Sequence, residues 1–269
     1  NFFNRTATKV HIEMSNLEDE EKEFLKIHFD FLLSQFDDTK VTREYLNEET
    51  AVYFRKFPLS PYNPYLRQFV NFELVESGFL WGFFMGTGYL AFEETLGENF
   101  NNTAFFDLGF NFIFKKLFIE GSVLITSTKN KQNITYEDTE WQEGTLNSYF
   151  LANLSMGYRI PINDRIKITP LLGVGFSGIQ PNTNEKEENP DYQDLDYNSS
   201  TLGTGVAIDW VFSKYDRIDF WTASRNRLFL RIKYTFHQQD IFNNADLPGN
   251  FHIVGLSVGG LISRLNRKF

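Results

Sequence analysis

From Leu80 to Phe269, large apolar side chains recur at every second position. Segment 104–114 sets Phe106, Leu108, Phe110, Phe112 and Phe114 against Asp107, Gly109 and Asn111. Segment 166–178 sets Ile166, Ile168, Pro170, Leu172, Val174 and Phe176 against Lys167, Thr169, Gly173, Gly175 and Ser177. Segment 201–212 places Leu202, Val206, Ile208, Trp210 and Phe212 opposite Thr201, Gly203, Gly205 and Asp209. Segment 227–237 places Leu228, Leu230, Ile232, Tyr234 and Phe236 opposite Arg227, Arg231, Lys233, Thr235 and His237. Side chains alternate between faces along a strand. Each segment therefore predicts a strand with one bulky apolar face and one face of glycine, hydroxyls and charge. Eight such strands are expected, near 79–94, 104–114, 117–128, 146–161, 165–180, 199–213, 225–239 and 251–265. A soluble barrel would turn the apolar stripe inward. Two features favour the opposite: the small face is rich in glycine, which suits a crowded lumen, and the stripes run about the 9–11 residues a tilted strand needs to cross hydrocarbon. The expected fold is all-β: an eight-stranded antiparallel transmembrane β-barrel over 67–269, with an N-terminal, partly helical extension over 1–66.

The extension follows another period. Lys9 to Met14 alternates weakly and predicts a short strand. Leu17 to Phe36 predicts a helix, with Phe24, Leu25, His28, Phe29, Leu32, Leu33 and Phe36 on one side. Ser15 or Asn16 is placed to cap it, and Glu18, Asp19, Glu20 and Glu21 suit its positive end. That side either packs on its own chain or docks a partner below the membrane, with Phe24, His28, Phe29, Leu32 and Phe36 as contact residues. Asp37-Asp38-Thr39 is expected to stop the helix, and a second short one is expected near Thr42–Glu49. Pro58, Pro61 and Pro64 read as a linker. Phe69 to Glu76 alternates again, as an extension of the first strand or as a plug.

Connections alternate in length. Lys115-Lys116 and Ile162-Asn163-Asp164 are tight turns, whereas 95–103, 130–145, 181–198 and 240–250 are longer and polar. Short turns at one rim and long loops at the other form the outer-membrane pattern, with both termini on the periplasmic side. The 214–224 connection is long where a short one is expected; its Asp216, Asp219, Phe220 and Trp221 suggest an interfacial anchor. Pro170 fits a closed ladder poorly, because it donates no hydrogen bond. Residues 79–269 thus resemble the small eight-stranded outer-membrane barrels of the OmpA/OmpX/OmpW type. The terminal Phe269, with Leu265 and Leu261 at further alternate positions, resembles the signal read by outer-membrane assembly machinery, although Arg267 stands where an apolar residue is usual. The resemblance implies a location in the outer membrane and contact with its lipid. It fixes no function.

Composition narrows the rest. Aromatics make up 17% of the 269 residues, with 30 Phe, more than a soluble domain usually needs. A mean hydropathy of −0.34 fits a barrel whose loops and half of whose strand positions are polar. No run of 18 apolar residues exists, so no transmembrane helix is expected. The absence of cysteine excludes disulfides and thiol–metal sites. A net charge of −9 argues against nucleic acid. Asn1-Phe2-Phe3 does not read as a signal peptide, so a mature exported chain is expected.

Candidate chemistry gathers on the inward face, at Asp107, Glu120, Arg159, Lys167, Asp209, Arg227, Arg231, Lys233 and His237. Eight strands leave an interior that side chains just fill. The expected arrangement is a buried ion-pair network closing the lumen. The alternative, a narrow polar pathway, needs the Arg/Lys cluster of the seventh strand unpaired and hydrated. His237, followed by Asn243, Asn244 and Asp246, resembles the layout of outer-membrane lipid A deacylases. Gln238 and Gln239 follow it, however, where a serine nucleophile would be needed. His11, His28 and His252 lack metal-like or triad-like spacing. Asp191, Asp194 and Asp196 offer oxygens for Ca²⁺ but lack the glycine and terminal glutamate of an EF-hand, so a solvated, mobile loop is expected there. The Tyr136–Glu143 loop, with Glu137, Asp138, Glu140 and Trp141, suits contact with a partner or glycan. No cofactor, metal site or catalytic residue is expected. The leading expectation is a structural or interaction subunit of an envelope complex, with protein partners there. A small OmpW-like channel or uptake barrel is the alternative, and a lipid A-modifying enzyme stands third.

Overall fold

The computed structural model describes residues 4–36, 41–136, 139–218, 223–239 and 249–268, the side chains of Phe36, Ile218 and Arg267 excepted. The chain separates into two compact units. One comprises Gly78–Tyr215 and Arg225–Ser263; the other comprises Asn1–Ser77, Asp216–Ser224 and Arg264–Phe269.

Among the described residues the chain has eight long strands, whose parts within Gly78–Tyr215 and Arg225–Ser263 build the first unit's wall: β1 (Glu73–Glu93), β2 (Thr103–Phe114), β3 (Leu117–Lys129), β4 (Leu146–Tyr158), β5 (Ile166–Pro181), β6 (Tyr197–Ile218), β7 (Ala223–Gln239) and β8 (Gly249–Lys268). Chain neighbours pair, and β8 returns to β1, so the sheet closes on itself and keeps no open edge. The ladders are antiparallel, with Phe83 opposite Phe110, Asn111 opposite Glu120 and Glu120 opposite Ser155. Pro170 takes its place opposite Val206 within the β5–β6 ladder.

Register decides what each face shows, because a slip of one residue would exchange the two faces. The outward face carries Trp81, Phe83, Leu108, Phe110, Phe112, Leu154, Val174, Trp210 and Val258, all exposed. A shallow apolar groove crosses it between Phe83, Met85, Leu108, Phe110, Val123 and Leu154. Each such side chain gains about 1.5–3 kcal/mol on leaving water. A continuous exposed belt of this kind is stable only against hydrocarbon, so the wall is membrane-spanning.

Inside, large rings lie over glycines on neighbouring strands. Phe84 lies over Gly109, Phe105 over Gly88 and Phe229 over Gly259, each where a Cβ would collide with the ring. The glycine-rich face is therefore the set of gaps that lets aromatic rings fill a narrow lumen. Two apolar clusters result. Leu80, Phe84, Ile113, Phe118, Val211, Phe229 and Leu261 form one. The other, larger, joins Phe92, Phe105, Tyr149, Ile179, Tyr197 and Phe251 to loop residues Leu96, Phe100, Trp141, Tyr192 and Leu195. The 185–196 loop is accordingly folded, through a helix Thr183–Glu188 and a turn Pro190–Tyr192, where a solvated loop was expected. Asn182 caps that helix by accepting from the Glu185 N–H at 2.9 Å. The expected long connection at 214–224 also differs. β6 runs to Ile218 and β7 begins at Ala223, so Asp216 is a strand residue. Asp219, Phe220 and Trp221 lie outside the described residues, as do Asn243, Asn244, Asp246 and Phe269.

The second unit is mostly helical: α1 (Arg5–Glu13), α2 (Asp19–Phe36) and α3 (Arg43–Lys56). The strand expected at Lys9–Met14 is instead α1. Its Asn4 cap accepts from the Ala7 N–H at 3.2 Å, and Arg5 and Lys9 both reach Asp30 of α2, at 2.7 and 2.6 Å. Tertiary ion pairs thus override a weak local alternation. α2 starts later than expected, with Glu18 rather than Ser15 or Asn16 before it: the Glu18 N–H donates to the Glu21 carboxylate at 3.2 Å. α3 exceeds the expected short helix, with Thr42 accepting from the Tyr45 N–H. The helix stop assigned to Asp37-Asp38-Thr39 lies outside the described residues. The proline stretch is packed rather than a linker. The Tyr53 hydroxyl meets Ser60 Oγ at 2.8 Å, and Asn63 Nδ2 donates to the carbonyls of Phe57 and Pro58. A turn at Asn63–Tyr65 runs into a π turn at Leu66–Val70, whose Leu66 and Val70 are buried. The alternation at Phe69–Glu76 resolves into the end of that turn and, from Glu73, the start of β1.

Candidate functional site

Inward positions on β2, β3, β6 and β7, with Arg159 just past the end of β4, set up a charged girdle. Arg231 on β7 is fully buried, and its guanidinium has donors on all sides. Its Nε and Nη2 donate to Asp209 Oδ1 and Oδ2 at 2.6 and 3.1 Å, and its Nη1 donates to Glu120 Oε2 at 2.5 Å and Asn111 Oδ1 at 3.1 Å. Lys233, two residues on and so on the same face, donates to Glu120 Oε1 at 2.9 Å and lies 3.8 Å from Asp107 Oδ2. Arg159 Nη2 completes the set, 3.1 Å from Asp209 Oδ2. The guanidinium lies near the rings of Phe84, Phe118 and Phe229, with centroids at 5.3, 5.1 and 4.9 Å. Asp107, Glu120 and Asp209 are matched charge for charge by Arg159, Arg231 and Lys233. Buried charges persist only when so paired.

Not every expected member joins this girdle. Lys167 turns to the rim, donating to the Asn163 carbonyl at 2.5 Å. Arg227 is half-buried, four residues before Arg231 on the same face. Asn111 was not singled out in advance, although its position beside Asp107 on the inward face signalled it. Arg231 and Lys233 are buried and paired, where a polar pathway would need them unpaired.

His237 lies apart from the girdle. Its ring stacks on Phe251 with centroids 4.8 Å apart and 5° between planes, and Gly203 leaves it room. Its Nε2 lies 3.1 Å from Thr235 Oγ1, a hydroxyl on the same strand face that can partner the imidazole in place of a serine. Both residues are buried. Nearby, the Tyr197 hydroxyl donates to Gln239 Oε1 at 3.3 Å, and Gln239 Nε2 donates to Ser177 Oγ at 2.9 Å. Among the described residues, no group of three or more His, Asp or Glu is placed to hold a metal ion.

The expected contact residues divide. Phe24 stacks on Tyr62 at 4.2 Å, and His28 Nδ1 lies 3.0 Å from the Tyr65 hydroxyl, so both face their own unit. Burial holds the His28 imidazole below its ordinary pKa. Phe29 is half-buried, Leu32 is exposed, and the Phe36 side chain lies outside the described residues. The buried stripe of α2 runs instead through Ile27, Asp30 and Phe31. It is rotated because α1 supplies the cations that allow Asp30 inside. Trp141 is fully buried against Phe100, ring centroids 5.6 Å apart, so it offers a partner no surface. Glu137 and Asp138 lie outside the described residues.

No protein-family model matches the chain, and no curated protein matches it. Solved structures match about 70% of it. Ail, the attachment invasion locus protein of Yersinia pestis, is 12% identical over 70% of this chain and 99% of its own, with a TM-score of 0.39. Neisserial surface protein A is 11% identical over 69% and 97%, with a TM-score of 0.42. The outer membrane protein OprG from Pseudomonas aeruginosa is 10% identical over 70% and 96%, with a TM-score of 0.34. The likeness is one of barrel architecture alone.

Proposed function

We propose that the protein is a non-catalytic, non-conducting anchor in the outer membrane whose helical unit docks another envelope protein. The observation behind this is the filled lumen: a charge-balanced girdle sits among packed aromatic rings, with no unpaired charge on Arg231 or Lys233 to lead an ion through. Short turns such as Lys115-Lys116, whose Lys115 N–H donates to the Gly78 carbonyl of β1, support a periplasmic position for the termini. The helical unit has its own core around Leu46, Tyr53, Leu66 and Val70, and it exposes Val10, Met14 and Leu17. These three suit the protein contact.

Purification from native membranes in mild detergent tests this, comparing wild type with a Met14→Glu/Leu17→Glu variant. A stoichiometric companion kept by wild type and lost by the variant is expected. A protein that purifies alone in both forms overturns the docking role. Release by carbonate wash overturns the anchor itself.

A further inference from the structure

The tight turn between β2 and β3 is unusual in its residues. Lys115 lies in the left-handed backbone region, at φ +56°, where a glycine would sit without strain. A strained non-glycine residue held by its surroundings points to a use for its side chain. The surroundings do hold it: the Lys115 N–H donates to the Gly78 carbonyl at 2.6 Å, and the Lys116 carbonyl accepts from the Arg159 N–H at 2.7 Å. Both lysines are exposed. Their ammoniums lie near the rings of Phe114 and Tyr158, with centroids at 5.6 and 5.7 Å, at the lower edge of the apolar belt. Aromatic rings at such an edge sit at headgroup level. The same rim exposes Arg165 and Lys214, against Asp164. At the opposite rim, Glu93, Glu94, Glu140, Glu143, Glu187 and Asp191 prevail. The barrel is therefore electrically polarised, and its basic end lies where headgroups meet the wall.

We propose that the Lys115–Lys116 turn binds the headgroups of anionic phospholipids and fixes the depth of the barrel in its membrane. The rigid backbone presents two ammoniums to lipid phosphates, while the rings beside them contact the acyl boundary. The proposal rests on the membrane-spanning reading of the barrel.

The test is native mass spectrometry of the full chain in mild detergent, offered phosphatidylglycerol and phosphatidylcholine of equal chain length. Wild type should retain phosphatidylglycerol preferentially. A Lys115→Gly/Lys116→Gln variant keeps the turn, because glycine accepts the backbone at position 115. Its preference should fall about fivefold for each lysine removed. Heat-modifiable mobility on gels verifies that the variant is folded. Equal retention of both lipids by wild type, or an unchanged preference in the folded variant, overturns the proposal while leaving the anchor standing. Release of wild type from membranes by carbonate removes both.

Discussion

Arg231 concentrates the interior energetics in one side chain. It holds Asp209 with a two-pronged contact and Glu120 with a third N–H. Arg231→Met leaves two buried carboxylates without their main partner, and should cost about 3–5 kcal/mol. Arg231→Lys keeps the charge but loses the fork, and should recover only part of that. Urea unfolding in lipid vesicles measures both; an Arg231→Met protein as stable as wild type would show the girdle to be incidental. Gly203 tests the packing rule. A Cβ there meets the His237 ring, so Gly203→Ala should destabilise by about 1–3 kcal/mol. Adding His237→Ala removes the obstruction, so the double variant should be more stable than the sum of the single losses implies. Strict additivity in that cycle would contradict the account.

Among the elements, α1 depends most on a single contact. Burial opposes the charge on Asp30, but hydrogen bonds from Arg5 and Lys9 outweigh it and hold its pKa below the usual carboxylate value. A folded-state pKa lowered in this way contributes stability that is present above the unfolded value, about 3.9, and is lost as pH falls through the folded value. The docking of α1 should therefore be insensitive to pH near neutrality and weaken only in acid. Asp30→Asn should weaken it near neutral pH to about the level wild type reaches in acid, and so abolish the acid step, as hydrogen exchange of Arg5–Glu13 would report. An acid step retained in the variant would assign the pH dependence to another group. The same helix shows where sequence reading stops. The strands were legible because alternation recurs eight times with consistent faces. The alternation at Lys9–Met14 was accidental: Val10 and Met14 are exposed, and what holds α1 comes from residue 30. The charges of the girdle were legible singly, but their pairing was not, since Arg231 meets Glu120 and Asn111 from 111 and 120 residues away. Trp141 looked like a loop aromatic available to a partner because nothing local reveals that Phe100 covers it.

For the whole molecule, lumen and wall make separate claims. The filled lumen predicts silence: wild type in planar bilayers should pass no steady ionic current, and a reproducible conductance would reopen the channel reading. The wall makes the more basic claim, that the apolar face meets lipid chains. The chain contains no cysteine, so single cysteines can be placed at will. Phe110→Cys, Val174→Cys and Val258→Cys lie on the exposed apolar face of three strands, and Asn163→Cys lies in a rim turn. The most direct measurement labels each with a fluorophore, reconstitutes the protein and quenches with lipids brominated along their acyl chains. The account predicts strong quenching at 110, 174 and 258 and little at 163. Labels at the three belt positions that escape the bromines and are reached instead by a water-soluble quencher would contradict a membrane-spanning barrel.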